Sequence, residues 1–295
     1  MASGRKRRFG DRRDGFRVKA PGLQTVMTCL MPKRTDSEVF VSDKIDVTEL
    51  LRYLEQKNEQ DPSVRRTLFH CVVTAMARTV RERPLLNRFI QGATIYERYE
   101  ISLAFVVKRR FADHAEESLM FLTPEDNATL DDISRRIVGD VKEIRKSEHA
   151  TGGVDALLDR FAAMPRLLRM FLVRIIRYLD FWGVNPRFIT EGDPNYASVF
   201  LSNLGSIGCP SVYHHLNNYG SNSIMITIGT IHREALVDRD GKSEVREIVD
   251  IGATLDERIA DGFYFARSLK LVKHICANPQ LLDLPLSEPS GFRFE

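Results

Sequence analysis

Hydrophobic residues recur along this chain with two different periods. Between residues 129 and 146 they stand three and four positions apart (Leu130, Ile133, Ile137, Val141, Ile144), which predicts an amphipathic helix. Strands are predicted where β-branched and aromatic residues concentrate, over 38–47, 94–107, 117–122, 196–203, 223–231 and 243–254. Other helices are predicted over 48–57, 61–84 and 262–277. The elements do not follow a strict βαβ rhythm, so the pattern favours a mixed α+β architecture.

A further helix, predicted over residues 165–182, combines a broad apolar surface with four arginines. Arg166, Arg169, Arg174 and Arg177 fall within about 140° of arc at 100° per residue. Basic amphipathic helices lie on anionic membranes or dock in partner proteins. A wide apolar stripe is more often packed on the protein's own core or on a subunit interface. We expect the packed arrangement and keep membrane contact through 165–182 as the alternative.

Charge is distributed unevenly along the 295 residues. Residues 1–19 hold eight basic and two acidic side chains, so they carry +6 and the remainder carries −3 of the total +3. We expect residues 1–24 to form a flexible basic arm, because charge runs seldom pack. Such an arm can meet nucleic acid, an anionic membrane or cofactor phosphates. It lacks the interleaved aromatic residues of a stacking surface, so we expect no specific nucleic-acid partner.

The cysteines and apolar runs indicate a cytoplasmic protein. Cys29, Cys71, Cys209 and Cys276 are widely separated, without a C-x-x-C pair, which indicates reduced thiols. Residues 9–22 offer no apolar stretch for a secretory leader, and no run reaches the length of a membrane span. No metal-ligand spacing such as H-E-x-x-H is present, so no metal is expected.

Four segments in a fixed order resemble a known family. They are Pro84–Asn87, Tyr99–Val107, Phe200–Gly208 with its Ser-Asn-Leu-Gly core, and Asp256–Gly262 followed by an apolar helix. Together they resemble the catalytic domain of the dihydrolipoamide acyltransferases, within the chloramphenicol acetyltransferase-like superfamily. The resemblance covers residues 25–285, with 286–295 as a C-terminal tail. It is weakest over 150–190, where a helical insertion is expected.

The resemblance implies a two-layer α/β sandwich with a mixed sheet, assembled as a homotrimer with each active site between subunits. In that family a histidine takes a proton from an acceptor that attacks a coenzyme A thioester, and a serine stabilises the oxyanion. An aspartate four residues after the histidine orders the site through an arginine near the N-terminus. Ser202 matches the serine and Asp261 the aspartate, and Arg34 is the candidate for the arginine. Ser202 bonded to a neighbouring strand and Asp261 as a helix N-cap are the structural alternatives.

The position of the catalytic histidine holds Glu257. A carboxylate, with an ordinary pKa of about 4.3 against about 6.5 for imidazole, is a weaker base at pH 7. To act as the base it needs its pKa raised by burial or by a nearby negative charge, and pairing with Arg258 would lower it. His214 and His215, about ten residues after the Ser202 segment, are the alternative source of a base.

Two functions therefore remain open. The first is a stand-alone acyltransferase that moves an acyl group from coenzyme A to a small-molecule thiol, hydroxyl or amine acceptor, with Glu257, Ser202, Asp261 and Arg34 as site residues. The second is a catalytically inactive trimeric relative that binds or scaffolds. We expect no lipoyl group on this chain, because it contains no lipoyl-lysine motif.

Overall fold

The computed structural model describes residues 8–108, 117–146, 160–186, 190, 192–237 and 240–294. The strands are β1 (Gly15–Arg17), β2 (Glu38–Asp46), β3 (Arg88–Gln91), β4 (Thr94–Arg98), β5 (Leu103–Lys108), β6 (Glu117–Leu122), β7 (Val199–Asn203), β8 (Ile224–Val237) and β9 (Ser243–Asp256). The helices are α1 (Gly22–Leu30), α2 (Thr48–Gln60), α3 (Leu68–Glu82), α4 (Leu130–Lys146), α5 (Arg166–Trp182) and α6 (Gly262–Ala277). Most elements therefore lie where the sequence pattern predicts them.

Six strands form the main sheet, in the order β2-β9-β8-β7-β5-β6. β7 runs parallel to β5 and β8, and the remaining pairs are antiparallel, so the sheet is mixed. Helices α2, α3, α4 and α6 share one hydrophobic core with this sheet. Leu50, Val73, Ile133, Leu201 and Leu271, drawn from both layers, are each at most 1% exposed. The predicted two-layer α/β sandwich is confirmed.

Helix α4 shows how local sequence and packing agree. Leu130, Ile133 and Ile137 are buried in the core. The Thr129 hydroxyl accepts from the backbone N–H of Asp132 (3.5 Å), and the Asp132 carboxylate accepts from the Thr129 N–H (3.0 Å), which forms a capping box. Acidic residues in the first turn and basic residues in the last turn match the helix dipole.

The second predicted helix begins later than the pattern indicates. Asp61 does not start it, because its carboxylate instead accepts from the Ser63 N–H (3.1 Å) and pairs with Arg66 (2.8 Å). Those contacts hold a turn. Helix α3 starts at Leu68, with Thr67 as N-cap, whose side chain accepts from the His70 N–H (3.4 Å).

The prediction of a flexible arm over 1–24 is wrong for its second part. β1 pairs with β4, and β4 pairs with β3, in a separate three-stranded sheet. Phe16 is buried, and the buried Asp11 carboxylate accepts from the Arg17 N–H (3.0 Å). Helix α1 then begins at Gly22. The buried Phe16 and the hydrogen-bonded Asp11 therefore order a stretch whose net charge predicts a solvated arm. Residues 1–7 lie outside the described residues.

The C-terminal tail, predicted over 286–295, also packs on the domain. Leu286 is 2% exposed, and Glu82 of α3 accepts from the Ser290 N–H (2.9 Å) and hydroxyl (2.7 Å). All four cysteines are free thiols, with Cys71 and Cys276 buried. Among the described residues, no helix is long and apolar enough to cross a membrane.

Helix α5 lies in the region of the expected insertion, much of which falls outside the described residues. Asp180 is the one buried residue of this helix. The expectation that its apolar stripe packs on the chain's own core is therefore wrong, because most of its large apolar side chains remain exposed.

Candidate functional site

A buried ion pair shapes the turn that follows β9. Asp256 is fully buried, and its carboxylate accepts two hydrogen bonds from the Arg258 guanidinium, at 2.8 and 2.6 Å. Asp256 also accepts from the Ser37 hydroxyl (3.0 Å), and Arg258 donates to the carbonyl of Met31 (2.6 Å). This two-point contact fixes the backbone of the turn in one geometry.

Glu257 projects outward from this turn. Its backbone N–H donates to the carbonyl of Ser37 (3.0 Å), while its neighbours Asp256 and Arg258 are buried. The Glu257 side chain is exposed, and within the described ranges no hydrogen bond or ion pair holds its carboxylate. The pairing of Glu257 with Arg258 that the sequence left open does not form, because Arg258 is engaged by Asp256.

Asp261 and Arg34 do not pair, so that prediction is wrong. The exposed Asp261 carboxylate accepts from the Tyr264 N–H (2.7 Å), as the N-cap of α6. Arg34 is buried and donates to the carbonyl of Ile90 (2.8 Å) and to Gln91 Oε1 (3.3 Å). Burial lowers the pKa of Arg34 to about 10, and the negative charge of Asp256 partly offsets that effect. The acidic side chains that act on Arg34 are therefore Asp256, with the larger effect, and Asp180.

Ser202 lies in the wall of a cavity of about 700 Å³. It stands near the end of β7, half-buried, in register with Thr227 of β8. Within the described part of the chain its hydroxyl has no hydrogen-bond partner, so it is available to a molecule in the cavity. The wall around it is largely apolar and includes Phe69, Phe105, Val107, Ile137, Leu204 and Met225.

Three histidines line the same cavity. His214 and His215 stack, with ring centroids 4.8 Å apart, on an exposed loop. His70, from α3, is 6% exposed, and its Nδ1 has no hydrogen-bond partner among the residues that the structure describes. Burial lowers the pKa of His70 to about 4, so it is neutral at pH 7. The sequence indicated His214 and His215, but not His70, because the helical pattern does not show which face of α3 meets the cavity.

The loop that carries His214 and His215 is held on the sheet by Thr227 and lies close to Gly252. Thr227 accepts from the Val212 N–H (3.3 Å) and also donates to the Val212 carbonyl. A Cβ on Gly252 would lie 2.6 Å from the Val212 oxygen, so only glycine permits this approach. The sheet therefore positions the histidine pair over the end of β7.

Ser202 and Glu257 cannot meet within one chain. Thr227 is in register with both Ser202 and Gly252, which places the latter two about 10 Å apart, or two strand spacings. Glu257 lies five residues beyond Gly252, about 16 Å along the strand direction. The two Cα atoms are thus about 19 Å apart. Glu257 lines no part of the Ser202 cavity, and no group of metal-ligating side chains occurs in the described ranges.

Comparison with known proteins identifies similar sequences. Residues 17–110 and 189–284 match the family described as 2-oxoacid dehydrogenases acyltransferase (catalytic domain). The lipoamide acyltransferase component of the branched-chain α-keto acid dehydrogenase complex of Bacillus subtilis is 22% identical over 252 residues, which cover 82% of this chain and 48% of that protein. The chain thus spans about half the length of this curated relative.

Solved structures show the same fold. A probable dihydrolipoamide acetyltransferase from Listeria monocytogenes has a TM-score of 0.59 at 15% identity, covering 97% of this chain and 99% of that one. The cubic core of a pyruvate dehydrogenase multienzyme complex has a TM-score of 0.60 at 13% identity, covering 90% and 93%. Azotobacter vinelandii dihydrolipoamide acetyltransferase, solved to study a serine, a histidine and an asparagine in its mechanism, has a TM-score of 0.59 at 13% identity, covering 90% and 93%.

Proposed function

Because this chain belongs to the 2-oxoacid dehydrogenase acyltransferase (catalytic domain) family, we propose that it transfers an acyl group from a coenzyme A thioester to a thiol, hydroxyl or amine acceptor. The observation that carries the proposal is the half-buried Ser202, whose hydroxyl is unbonded among the described residues, in the wall of a 700 Å³ cavity. The Ser202 hydroxyl can donate to an acyl carbonyl that develops negative charge. With four free thiols, the chain is assigned to the cytoplasm.

The proposed reaction needs a base and an oxyanion donor. The base takes the proton of the acceptor, whose S, O or N then bonds to the thioester carbonyl carbon. Ser202 donates a hydrogen bond to the resulting oxyanion. The carbonyl re-forms as the carbon–sulfur bond breaks, and coenzyme A leaves as a thiolate that receives the proton. No metal takes part in this sequence.

Glu257 is the proposed base, supplied by a neighbouring subunit of a homotrimer. It is exposed, free of ion pairs to the described residues, and about 19 Å from Ser202 of its own chain. Beside it, Gln24 of α1 donates to the carbonyl of Arg258 (2.8 Å), and α1 exposes the apolar residues Leu23 (77%) and Leu30 (70%). An apolar face next to an exposed carboxylate fits an interface between copies. Asp261 and Arg34 act as scaffold: Asp261 fixes the start of α6, and Arg34 ties β3 to the carbonyl of Asn217 (3.4 Å).

The histidine pair is the competing base. His214 and His215 share the cavity with Ser202 in one chain, so they require no second subunit. Imidazole also suits proton transfer near pH 7 better than a carboxylate does.

Activity assays with matched variants test the proposal. Release of free coenzyme A thiol is measured with a panel of acyl-coenzyme A donors and simple acceptors. Ser202→Ala is expected to lower kcat about 10²- to 10³-fold, and Glu257→Gln about 10²- to 10⁴-fold. Asn203→Ala, which changes another cavity side chain, is the control. Loss of activity in His214→Gln or His215→Gln, with the activity of Glu257→Gln unchanged, would show that a loop histidine is the base.

Mixed oligomers test where Glu257 acts. Ser202→Ala and Glu257→Gln chains are co-expressed with different tags, and the mixed species is purified. If the site forms between subunits, about one site in three of each mixed trimer contains both native residues, and activity returns. If both residues act within one chain, no mixture contains an intact site and the activity stays lost.

The second candidate function is a non-catalytic binding or scaffolding relative, favoured by the carboxylate at the histidine position. Under that function the wild type turns over none of the donors, and Glu257→Gln leaves acyl-coenzyme A binding unchanged. Turnover that depends on Ser202 would exclude it.

A further inference from the structure

Helix α5 exposes a continuous apolar stripe. Leu167, Phe171, Ile175, Tyr178 and Trp182 fall within about 80° of arc on this helix. Their exposures are 80, 60, 39, 64 and 62%. Three are aromatic, and the rings of Tyr178 and Trp182 are in edge contact, with centroids 6.3 Å apart. A stripe of this size along 17 residues, about 25 Å of helix, is larger than scattered surface residues produce.

Four basic side chains lie to one side of the stripe, without acidic partners among the described residues. Arg166, Arg174 and Arg177 are exposed, and Arg169 is half-buried. No ion pair joins any of these four to an acidic residue in the described ranges. The one acidic residue of the helix, Asp180, is buried. The outward surface of α5 is therefore apolar and positively charged.

The last turn of α5 holds the helix in a fixed orientation. The Asp180 carboxylate accepts from the Tyr196 hydroxyl (2.6 Å), the Gly220 N–H (3.1 Å) and the Asn185 amide (3.1 Å). Gln91 donates to the Asp180 carbonyl (2.5 Å). These bonds direct the buried carboxylate inward. At 100° per residue the stripe is centred opposite Asp180, so it faces outward, with Arg174 at its edge.

A second basic segment lies next to this end of the helix. The Arg12 guanidinium packs against Gly183, which caps α5 in a left-handed conformation (φ 69°). Arg13, Arg17 and Lys19 of the same segment are exposed. Positive charge thus continues from α5 onto the N-terminal residues.

We propose that the exposed face of α5 docks on an anionic lipid surface, with the helix lying in the plane of the headgroups. The apolar stripe enters the acyl boundary and the arginines to one side of it contact phosphate groups. A second copy that places its own α5 on this face is a poorer occupant, because four unpaired arginines would then lie against four others. The proposal is independent of the acyl-transfer chemistry.

Vesicle flotation of the full chain tests this docking. One vesicle set contains phosphatidylcholine alone, and the other contains phosphatidylcholine mixed with phosphatidylglycerol. The wild type is expected to float with the anionic set only, and less at high salt. Arg174→Gln and Arg177→Gln should each weaken binding about fivefold. Phe171→Glu should weaken it at least tenfold, because a carboxylate enters the stripe.

Two controls separate docking from assembly. Val245→Glu adds the same charge at an exposed apolar residue (64%) of β9 and should float like the wild type. Oligomeric state is measured by light scattering for every variant, and circular dichroism checks folding. The proposal is overturned if the wild type does not float with anionic vesicles, or if the α5 variants float equally well. It is also overturned if these variants change only the oligomeric state.

Discussion

The cavity with Ser202 and the turn with Glu257 belong to one family motif set, yet they present their side chains in opposite ways. Ser202 is half-buried in a concave wall beside apolar residues and three histidines. Glu257 stands exposed on a turn about 19 Å away, next to the buried pair of Asp256 and Arg258. This difference is the reason for proposing a site that two copies form together.

The largest expected effect on stability comes from breaking the ion pair between Asp256 and Arg258 at the turn. Arg258→Met leaves the Asp256 carboxylate buried without its two-point partner, so the free energy of unfolding should fall by about 3–5 kcal/mol. Denaturant unfolding followed by fluorescence measures it. Asp256→Asn combined with Arg258→Met should recover part of the loss. A loss under about 1 kcal/mol would mean that the pair does not fix the turn.

In the Ser202 cavity, His70 should make the free energy of unfolding depend on pH. Its folded pKa of about 4 lies below the unfolded value of 6.5, so the unfolded state binds more protons as the pH falls between them. Stability is therefore highest above 6.5, and about 2 kcal/mol should be lost between pH 7 and pH 5. The same urea midpoints measured for His70→Gln should lack this component. Equal pH dependence in both proteins would show that burial does not lower the pKa of His70.

Removing the helix cap tests the turn from its other end. Asp261→Ala deprives the Tyr264 N–H of its acceptor and should lower the free energy of unfolding by about 1 kcal/mol. Asp261→Ser, which keeps a capping oxygen, should restore most of it. If Asp261→Ser recovers stability but not acyl transfer, the Asp261 carboxylate has a role in the site in addition to capping α6.

The smallest change in stability is expected at Glu257 itself. Its exposed carboxylate has no partner in the described ranges, so Glu257→Gln should change the free energy of unfolding by less than about 0.5 kcal/mol. Equilibrium unfolding beside the activity assay checks this. A large loss of activity without loss of stability would distinguish Glu257 from Arg258. Replacing Arg258 is expected to lower both stability and activity.

Several parts of the fold follow directly from local sequence. The spacing of Leu130, Ile133 and Ile137 predicts α4, and the Asp261 cap with the apolar run behind it predicts α6 from Gly262. β6 (Glu117–Leu122) matches its predicted bounds. The start of α3 was misplaced because Asp61, a good N-cap by type, is engaged by Ser63 and Arg66 instead.

The candidate site is less accessible to sequence reasoning. Ser202 lies near the end of β7 and Asp261 caps α6, but the predicted pair of Arg34 with Asp261 does not form. Arg34 instead bonds to β3, and Asp256 is the acidic residue with the largest effect on its pKa. Side-chain partners depend on which elements cross near each other, and spacing along the chain does not encode that.

By itself, the sequence determined the family, the mixed two-layer architecture and the identity of the residues in its motifs, because period, caps and motif order are local properties of the chain. Only the tertiary structure decided that Glu257 is exposed and far from Ser202, that His70 shares a cavity with His214 and His215, and that the stripe on α5 remains uncovered. The physical reason is that burial and distance arise from contacts between segments far apart in sequence.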